Sequence, residues 1–172
     1  MLKILLFPFA LLYGLVISFR HLLFNLGILP SKSFDVPVIS VGNITMGGTG
    51  KTPHTEYLTR LLIKDFRVAI LSRGYSRKSK NFVLANSSCS FQDIGDEPLQ
   101  YLQNFGDKIR IAVDKDRCRG VSRLLEMKEP PEIIILDDAF QHRYIKPGLS
   151  LLLTDYRRLY TDDYLFPSGM LR

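Results

Sequence analysis

Cysteine is scarce in this chain of 172 residues. Only Cys89 and Cys118 occur, with no C-x-x-C pair and no histidine cluster at metal-ligand spacing, so neither a disulfide framework nor a structural zinc site is indicated. Two buried free thiols in a reducing, cytosolic setting are the expectation. A polybasic tract is also lacking. The formal charge is +6, but lysine and arginine are scattered along the chain, which argues against a nucleic-acid partner. Phosphate groups or an anionic membrane surface account for the excess as well. No repeat or low-complexity stretch occurs, and 46% hydrophobic with 23% charged residues is enough apolar material for one domain with a sizeable core.

What is present begins with a run free of charge, Ile4 to Phe19, followed after Arg20-His21 by a second apolar piece, Leu22 to Leu29, that ends at Pro30. An N-terminal hydrophobic helix within residues 1–30 is predicted. A full membrane span takes about 20 apolar residues and a signal-peptide core about 7–15, so the run falls between the two. No small-x-small cleavage site follows it, which argues against a secretory leader. A buried core helix is the ordinary alternative, but the run is apolar nearly all round and is bracketed by Lys3 and Arg20 like interfacial anchors. Membrane attachment is the preferred reading, with spanning and lying in the interface both open.

After a polar linker, Ser31 to Asp35, brief β-branched runs alternate with helical spacing. Strands are predicted at Val38–Val41, Val68–Leu71, Lys108–Val113, Ile133–Leu136 and Leu149–Leu153, with a short one at Phe82–Leu84 inside a Lys/Ser/Asn-rich loop, Ser76–Cys89. Helices are predicted at Lys51–Lys64, Asp96–Phe105 and Lys115–Met127. The alternation implies an α/β domain over residues 36–172, with a mainly parallel sheet covered by helices on both faces. Ligands in such sheets bind beyond the carboxyl ends of the strands, which directs attention to the loops after Val41, Leu71 and Leu136.

The first of these loops runs Gly42-Asn43-Ile44-Thr45-Met46-Gly47-Gly48-Thr49-Gly50-Lys51-Thr52. It is close to G-x-x-x-x-G-K-S/T, with Thr45 standing where the pattern has its first glycine. Backbone amides of Thr45–Thr52 wrap phosphate oxygens in such a loop, the helix start adds its positive end, and Lys51 neutralises charge. Thr52 is placed to ligate Mg2+. ATP with Mg2+ is therefore the expected ligand pair. Ile133–Leu136 then delivers Asp137 and Asp138 to the end of a strand, where a carboxylate holds Mg2+ directly or through water; capping of a following helix is the bland reading for a lone Asp. Gln141 and His142 follow in the same loop, and Arg73 and Tyr75 follow the second strand.

Taken together, VGNITMGGTGKTP, LSRGY at Leu71–Tyr75, GDEP at Gly95–Pro98, DDAFQH at Asp137–His142 and PSGMLR at Pro167–Arg172 resemble the tetraacyldisaccharide 4′-kinase family in order and approximate spacing. The resemblance covers essentially the whole chain. It implies a P-loop kinase that moves the ATP γ-phosphate to the 4′-hydroxyl of a lipid-borne glucosamine disaccharide 1-phosphate, giving lipid IVA, at the cytoplasmic face of a Gram-negative inner membrane. The acidic residue of GDEP maps onto Asp96 as candidate general base, with Lys51 and Asp138 as the other catalytic groups. Asp96 and Glu97 also begin a helix, where the dipole favours their charge. The resemblance further implies acceptor contacts for Asn43, Arg73, Tyr75, Glu97, Gln141, His142 and Arg172, and no obligate protein partner. Members of the family are roughly twice this length, so a second α/β domain carrying the base's partner histidine is expected beyond residue 172, and residues 1–172 alone are expected to bind nucleotide without completing transfer. A P-loop ATPase switch of the partitioning type is the alternative from another class. Its signature lysine is replaced here by Met46, and acceptor-independent ATP hydrolysis would mark it.

Overall fold

The computed structural model describes residues 2–75, 77–78 and 81–171, and side chains from Leu6 onward. The charge-free N-terminal run forms one helix, α1 (Leu2–Asn25), with Pro8 in its interior. From Leu6 to Asn25 it has a mean hydropathy of 1.7 and is long and apolar enough to cross a membrane by length and composition. Phe9, Leu12, Leu15, Val16 and Phe19 are exposed on its outer side, while Ala10, Tyr13, Gly14 and Ile17 form a covered stripe toward the domain. Phe24, near its end, is buried against the rest of the chain.

The remaining elements alternate as the apolar periodicity requires: β1 (Val38–Gly42), α2 (Lys51–Leu62), β2 (Val68–Ser72), β3 (Val83–Leu84), α3 (Phe91–Ile94), α4 (Asp96–Phe105), β4 (Arg110–Val113), α5 (Arg117–Leu125), β5 (Ile133–Asp137) and β6 (Leu149–Leu152). They build one six-stranded sheet in the order β3-β4-β2-β5-β1-β6. All pairings are parallel except β3 against β4. The mainly parallel α/β sheet expected from the alternation is the observed fold.

Its central strands bury both faces. In β2, Ala69 and Leu71 face a core shared with Val121 and Leu124 of α5, whereas Val68 and Ile70 face one shared with Tyr101 and Phe105 of α4 and with Leu58 and Leu62 of α2. This is why Val68–Ser72 and Ile133–Asp137 read as unbroken apolar runs. Each isoleucine buried there contributes about 1.5–3 kcal/mol relative to leaving it exposed. Glu56 of α2 accepts from Gln100 and Asn104 of α4 at 2.8 and 2.7 Å, holding the two helices on their shared face.

Three sequence expectations are corrected. The stretch predicted as a strand from Lys108 starts only at Arg110, because Gly106–Lys108 turns as a 3-10 helix after α4. The four-residue α3, which carries a capping box between Ser90 and Asp93, was not anticipated. Cys89 and Cys118 are free but half-buried rather than buried.

Candidate functional site

β1 and β5 are neighbours, so the loops that leave their carboxyl ends lie side by side. The first enters α2 through Gly50, whose φ of 77 is in the left-handed region that glycine tolerates. Among the described residues α2 has neither a side-chain cap nor an acidic residue in its first turn. Its leading amides therefore face the loop with the positive end of the helix behind them, an arrangement suited to phosphate.

Asn43 braces this loop from within. It is buried, donates to the Gly47 carbonyl at 3.2 Å and accepts from Lys51 Nζ at 3.3 Å. Lys51 also lies 3.5 Å from Asp138 Oδ1, joining the two loops by an ion pair. Thr45 is buried and bridges to Leu171, and the Met46 amide donates to the Met170 carbonyl at 2.7 Å. Met170 and Leu171 thus occupy the N-terminal edge of the loop, and the Met46 amide is already engaged. The Gly47–Thr52 stretch remains as the candidate phosphate cradle within the expected Thr45–Thr52 loop.

Asp137 closes β5 and is fully buried, and neither carboxylate oxygen has a hydrogen-bond partner among the described residues. Burial, reinforced by the charge of Glu97, pushes its carboxyl up to about 7. Beside it stands Tyr101, whose buried hydroxyl is also without a partner in hydrogen-bonding geometry and is itself approached by Thr52 and Thr55 of α2. Orphaned buried carboxylate oxygens at the end of a strand are donors suited to Mg2+ or its water shell. Asp138 follows with φ 49, a left-handed conformation uncommon for a non-glycine residue. That turn presents it, exposed, toward Lys51.

A cavity of about 370 Å3 opens beside this pair and is lined by Asn43, Arg73, Asp138, Gln141 and His142, and also by Arg20, Lys115 and Arg117. Lys115 and Arg117 follow β4, whose loop was passed over in reading the sequence. Arg117 is buried, and it donates to the carbonyl of Asp114 at 2.7 Å and to that of Asp137 at 3.1 Å, tying the ends of β4 and β5 together. Burial pulls its guanidinium down to about 10, with Arg73 acting in the same direction and Asp137 opposing. The available signal was topological: the loop after β4 opens at the same sheet edge as the other three. His142 is held below its usual range by burial and by Arg117, which keeps it neutral near pH 7.

Of the other expected residues, Asp96 and Glu97 share the first turn of α4. Glu97 is half-buried, and burial and the charge of Asp138 raise its carboxyl above the ordinary range, opposed by Lys51. It is therefore the GDEP acid that feels the loop pair directly, while Asp96 is exposed at the helix start. Tyr75 is exposed, with its ring outside the cavity lining. Arg172 lies outside the described residues. The larger cavity, about 1130 Å3, is not at the phosphate loop but between α1 and the domain, and it shares Arg20, Phe140, Gln141 and His142 with the smaller one.

Residues 2–172 match the model of the family described as Tetraacyldisaccharide-1-P 4'-kinase. Among curated proteins the chain is similar to the tetraacyldisaccharide 4'-kinase of Bacteroides fragilis (strain YCH46), 59% identical over 97% of this chain and 44% of that protein. It is also similar to that of Flavobacterium johnsoniae, 54% identical over 100% of this chain and 50% of that protein. The chain thus spans about half the length of the curated relatives it matches. Among solved structures it is similar to the "apo" form of LpxK from Aquifex aeolicus in complex with ATP, with a TM-score of 0.88 and 43% identity, covering 100% of this chain and 54% of that one.

Proposed function

Since this chain belongs to the tetraacyldisaccharide-1-phosphate 4′-kinase family, we propose that the protein carrying it transfers the γ-phosphate of ATP to the 4′-hydroxyl of a tetraacyldisaccharide 1-phosphate, forming lipid IVA. The observation that carries this reading is the junction of the two loops: Lys51 is held 3.5 Å from Asp138, which lines a cavity together with four further cationic side chains.

Gly47–Thr52 and the N-terminus of α2 hold the nucleotide phosphates, and Lys51 moves from Asp138 to them. Thr52, Asp137 and Asp138 would hold the Mg2+, and the unpartnered oxygens of Asp137 support its place there. When bound, the cation would supply neutralisation of phosphate charge. Arg73, Lys115 and Arg117 surround the transferred group with fixed positive charge inside a concave wall. Gln141 and His142 line the same wall, and a neutral His142 is able to accept a hydrogen bond from the acceptor hydroxyl. Asp96 is the base that accepts the hydroxyl proton. Glu97, one residue on and facing Asp138, orients the acceptor. Most of the rate comes from positioning and charge neutralisation, as is usual for phosphoryl transfer.

α1 anchors this machinery at the cytoplasmic face of the inner membrane, supported by its broad exposed apolar face and its length of about 36 Å at 1.5 Å per residue. The test is transfer of labelled γ-phosphate from ATP to purified tetraacyldisaccharide 1-phosphate by the full-length protein. Labelled lipid supports the reading. ATP hydrolysis that ignores the acceptor refutes it.

A further inference from the structure

α1 meets the domain along one face, where Tyr13 packs edge-on against Phe166 at 6.4 Å and Gly14 lies against Leu165, and again at its C-terminal end. Its last turn contains no basic residue of its own, although the exposed carbonyls of a helix C-terminus attract one. Arg143, five residues beyond Asp138, supplies that charge from outside. Its Nη1 donates to the His21 carbonyl at 3.2 Å and its Nη2 to Asn25 Oδ1 at 2.7 Å. Its guanidinium also stands 5.2 Å from the centre of the Phe24 ring.

The same ring is approached by a second guanidinium, that of Arg20, at 5.2 Å. Tyr144 packs edge-on against Phe24 at 5.0 Å and lies 5.7 Å from the His142 ring. The linker closes the joint, with the Lys32 amide donating to the Tyr144 carbonyl at 2.8 Å and the Ser31 hydroxyl to the Arg143 carbonyl. Phe24 is thereby buried, as Ala10 is, in a helix whose opposite apolar face is exposed. Beyond this joint, Arg20 reaches the cavity that also contains Asn43, Arg73, Arg117 and Asp138. A residue that the sequence marks as an interfacial anchor is instead part of the cavity wall.

We propose that Arg143 is a positioning residue that seats the end of α1 on the loop after Asp137-Asp138 and so holds Arg20 in the transfer cavity. The membrane helix is then a component of the acceptor site and not an anchor alone, and Arg20 binds the anionic headgroup of the lipid acceptor. This rests on the kinase reading above. A bidentate guanidinium fits the role because two fixed donors and a ring stack define the angle of the helix, which a single point charge does not.

The experiment uses the full-length protein, with the acceptor presented in mixed detergent micelles, and compares wild type, Arg143→Ala, Arg20→Ala and the double variant. For each single variant the acceptor KM should rise about tenfold, the size expected from losing a hydrogen bond to a charged group. The ATP KM should stay within about twofold, and sedimentation with phosphatidylethanolamine/phosphatidylglycerol vesicles should not change. Because one residue acts through the other, the double variant should be no worse than the worse single one. Should Arg143→Ala lose its cooperative melt, Arg143→Lys keeps the charge and is read in the same way with a smaller rise. Equal effects on ATP and acceptor, loss of vesicle binding, or effects that multiply in the double variant would each overturn the proposal. Wild-type protein that labels no lipid removes the kinase reading and this one with it; wild-type turnover with an unaltered acceptor KM in both variants removes this one alone.

Discussion

Lys51 Nζ and Asp138 Oδ1 lie 3.5 Å apart, and the pair, 87 residues apart in the chain, joins two loops that leave adjacent parallel strands. The lysine is mostly shielded and the aspartate is substantially open, so the pair is not sealed from solvent. A nucleotide that draws Lys51 onto its phosphates replaces one anionic partner with another of higher charge.

Lys51→Ala is therefore expected to weaken ATP binding by well over tenfold while leaving the fold nearly as stable. Ion pairs open to solvent contribute about 0–1 kcal/mol, which in a chain of this size moves the melting temperature by only about 2–4 °C. Calorimetric titration with ATP alongside a melt separates the two effects. A large melting loss with ATP affinity intact would show the lysine to be structural.

Asp137 leads to a pH prediction for the metal-free protein. Burial raises its carboxyl from the ordinary 3.8 to about 7. A carboxyl that keeps its proton longer in the folded state stabilises the fold at low pH, and that contribution is lost as pH rises from about 4 to about 7. Asp137→Asn keeps the shape without the charge. Its melting temperature relative to wild type is therefore expected to climb between pH 5 and pH 8 in chelator, whereas Mg2+ with ATP should raise the wild-type melt and not that of the variant. Parallel curves for the two proteins across that range would refute the assignment.

The sheet was legible because its evidence is local. Val68–Leu71 and Ile133–Leu136 read as strands from four consecutive apolar residues each, and the helical spacing over Asp96–Phe105 matches the bounds of α4. The glycine-rich loop and the paired aspartates carry their chemistry in their spacing. The rest of the site depends on contacts across the fold that no window of sequence contains. Arg117 reaches Asp137 by strand adjacency, Arg143 finds α1 more than a hundred residues away, and Met46 loses its amide to Met170. Glu97 rather than Asp96 turns inward because of how α4 packs, which an acidic pair at a helix start does not disclose.

That difference between the two acids can be tested. With Asp96 as base and Glu97 as an orienting group, Asp96→Ala in the full-length protein should lower kcat by about 10^2–10^4-fold, the usual range for a general base, with ATP affinity unchanged. Glu97→Gln should act chiefly on the acceptor KM. The reverse pattern in steady-state kinetics would exchange the two roles.

The last prediction concerns why LSRGY and GDEP occur together. Gly74 and Gly95 both have positive φ, 66 and 88, and each packs against the backbone of the other's segment: a Cβ on Gly95 would meet the Tyr75 carbonyl oxygen at 2.6 Å, and one on Gly74 would meet that of Ile94 at 2.8 Å. The start of α4, with Asp96 and Glu97 on it, is thus set by direct backbone contact with the loop that carries Arg73. Gly95→Ala must both adopt a left-handed conformation and push that backbone aside, so a loss of about 2–4 kcal/mol is expected from strain and overpacking together. Gly106→Ala is the control, because its φ of 55 demands the same kind of conformation while nothing lies within 4 Å of the added Cβ. That variant should lose only about 1–2 kcal/mol. Denaturant melts of the two side by side measure the contact term as their difference; equal losses would mean that the glycine of GDEP is required for its backbone angle alone and that the two segments are not interlocked.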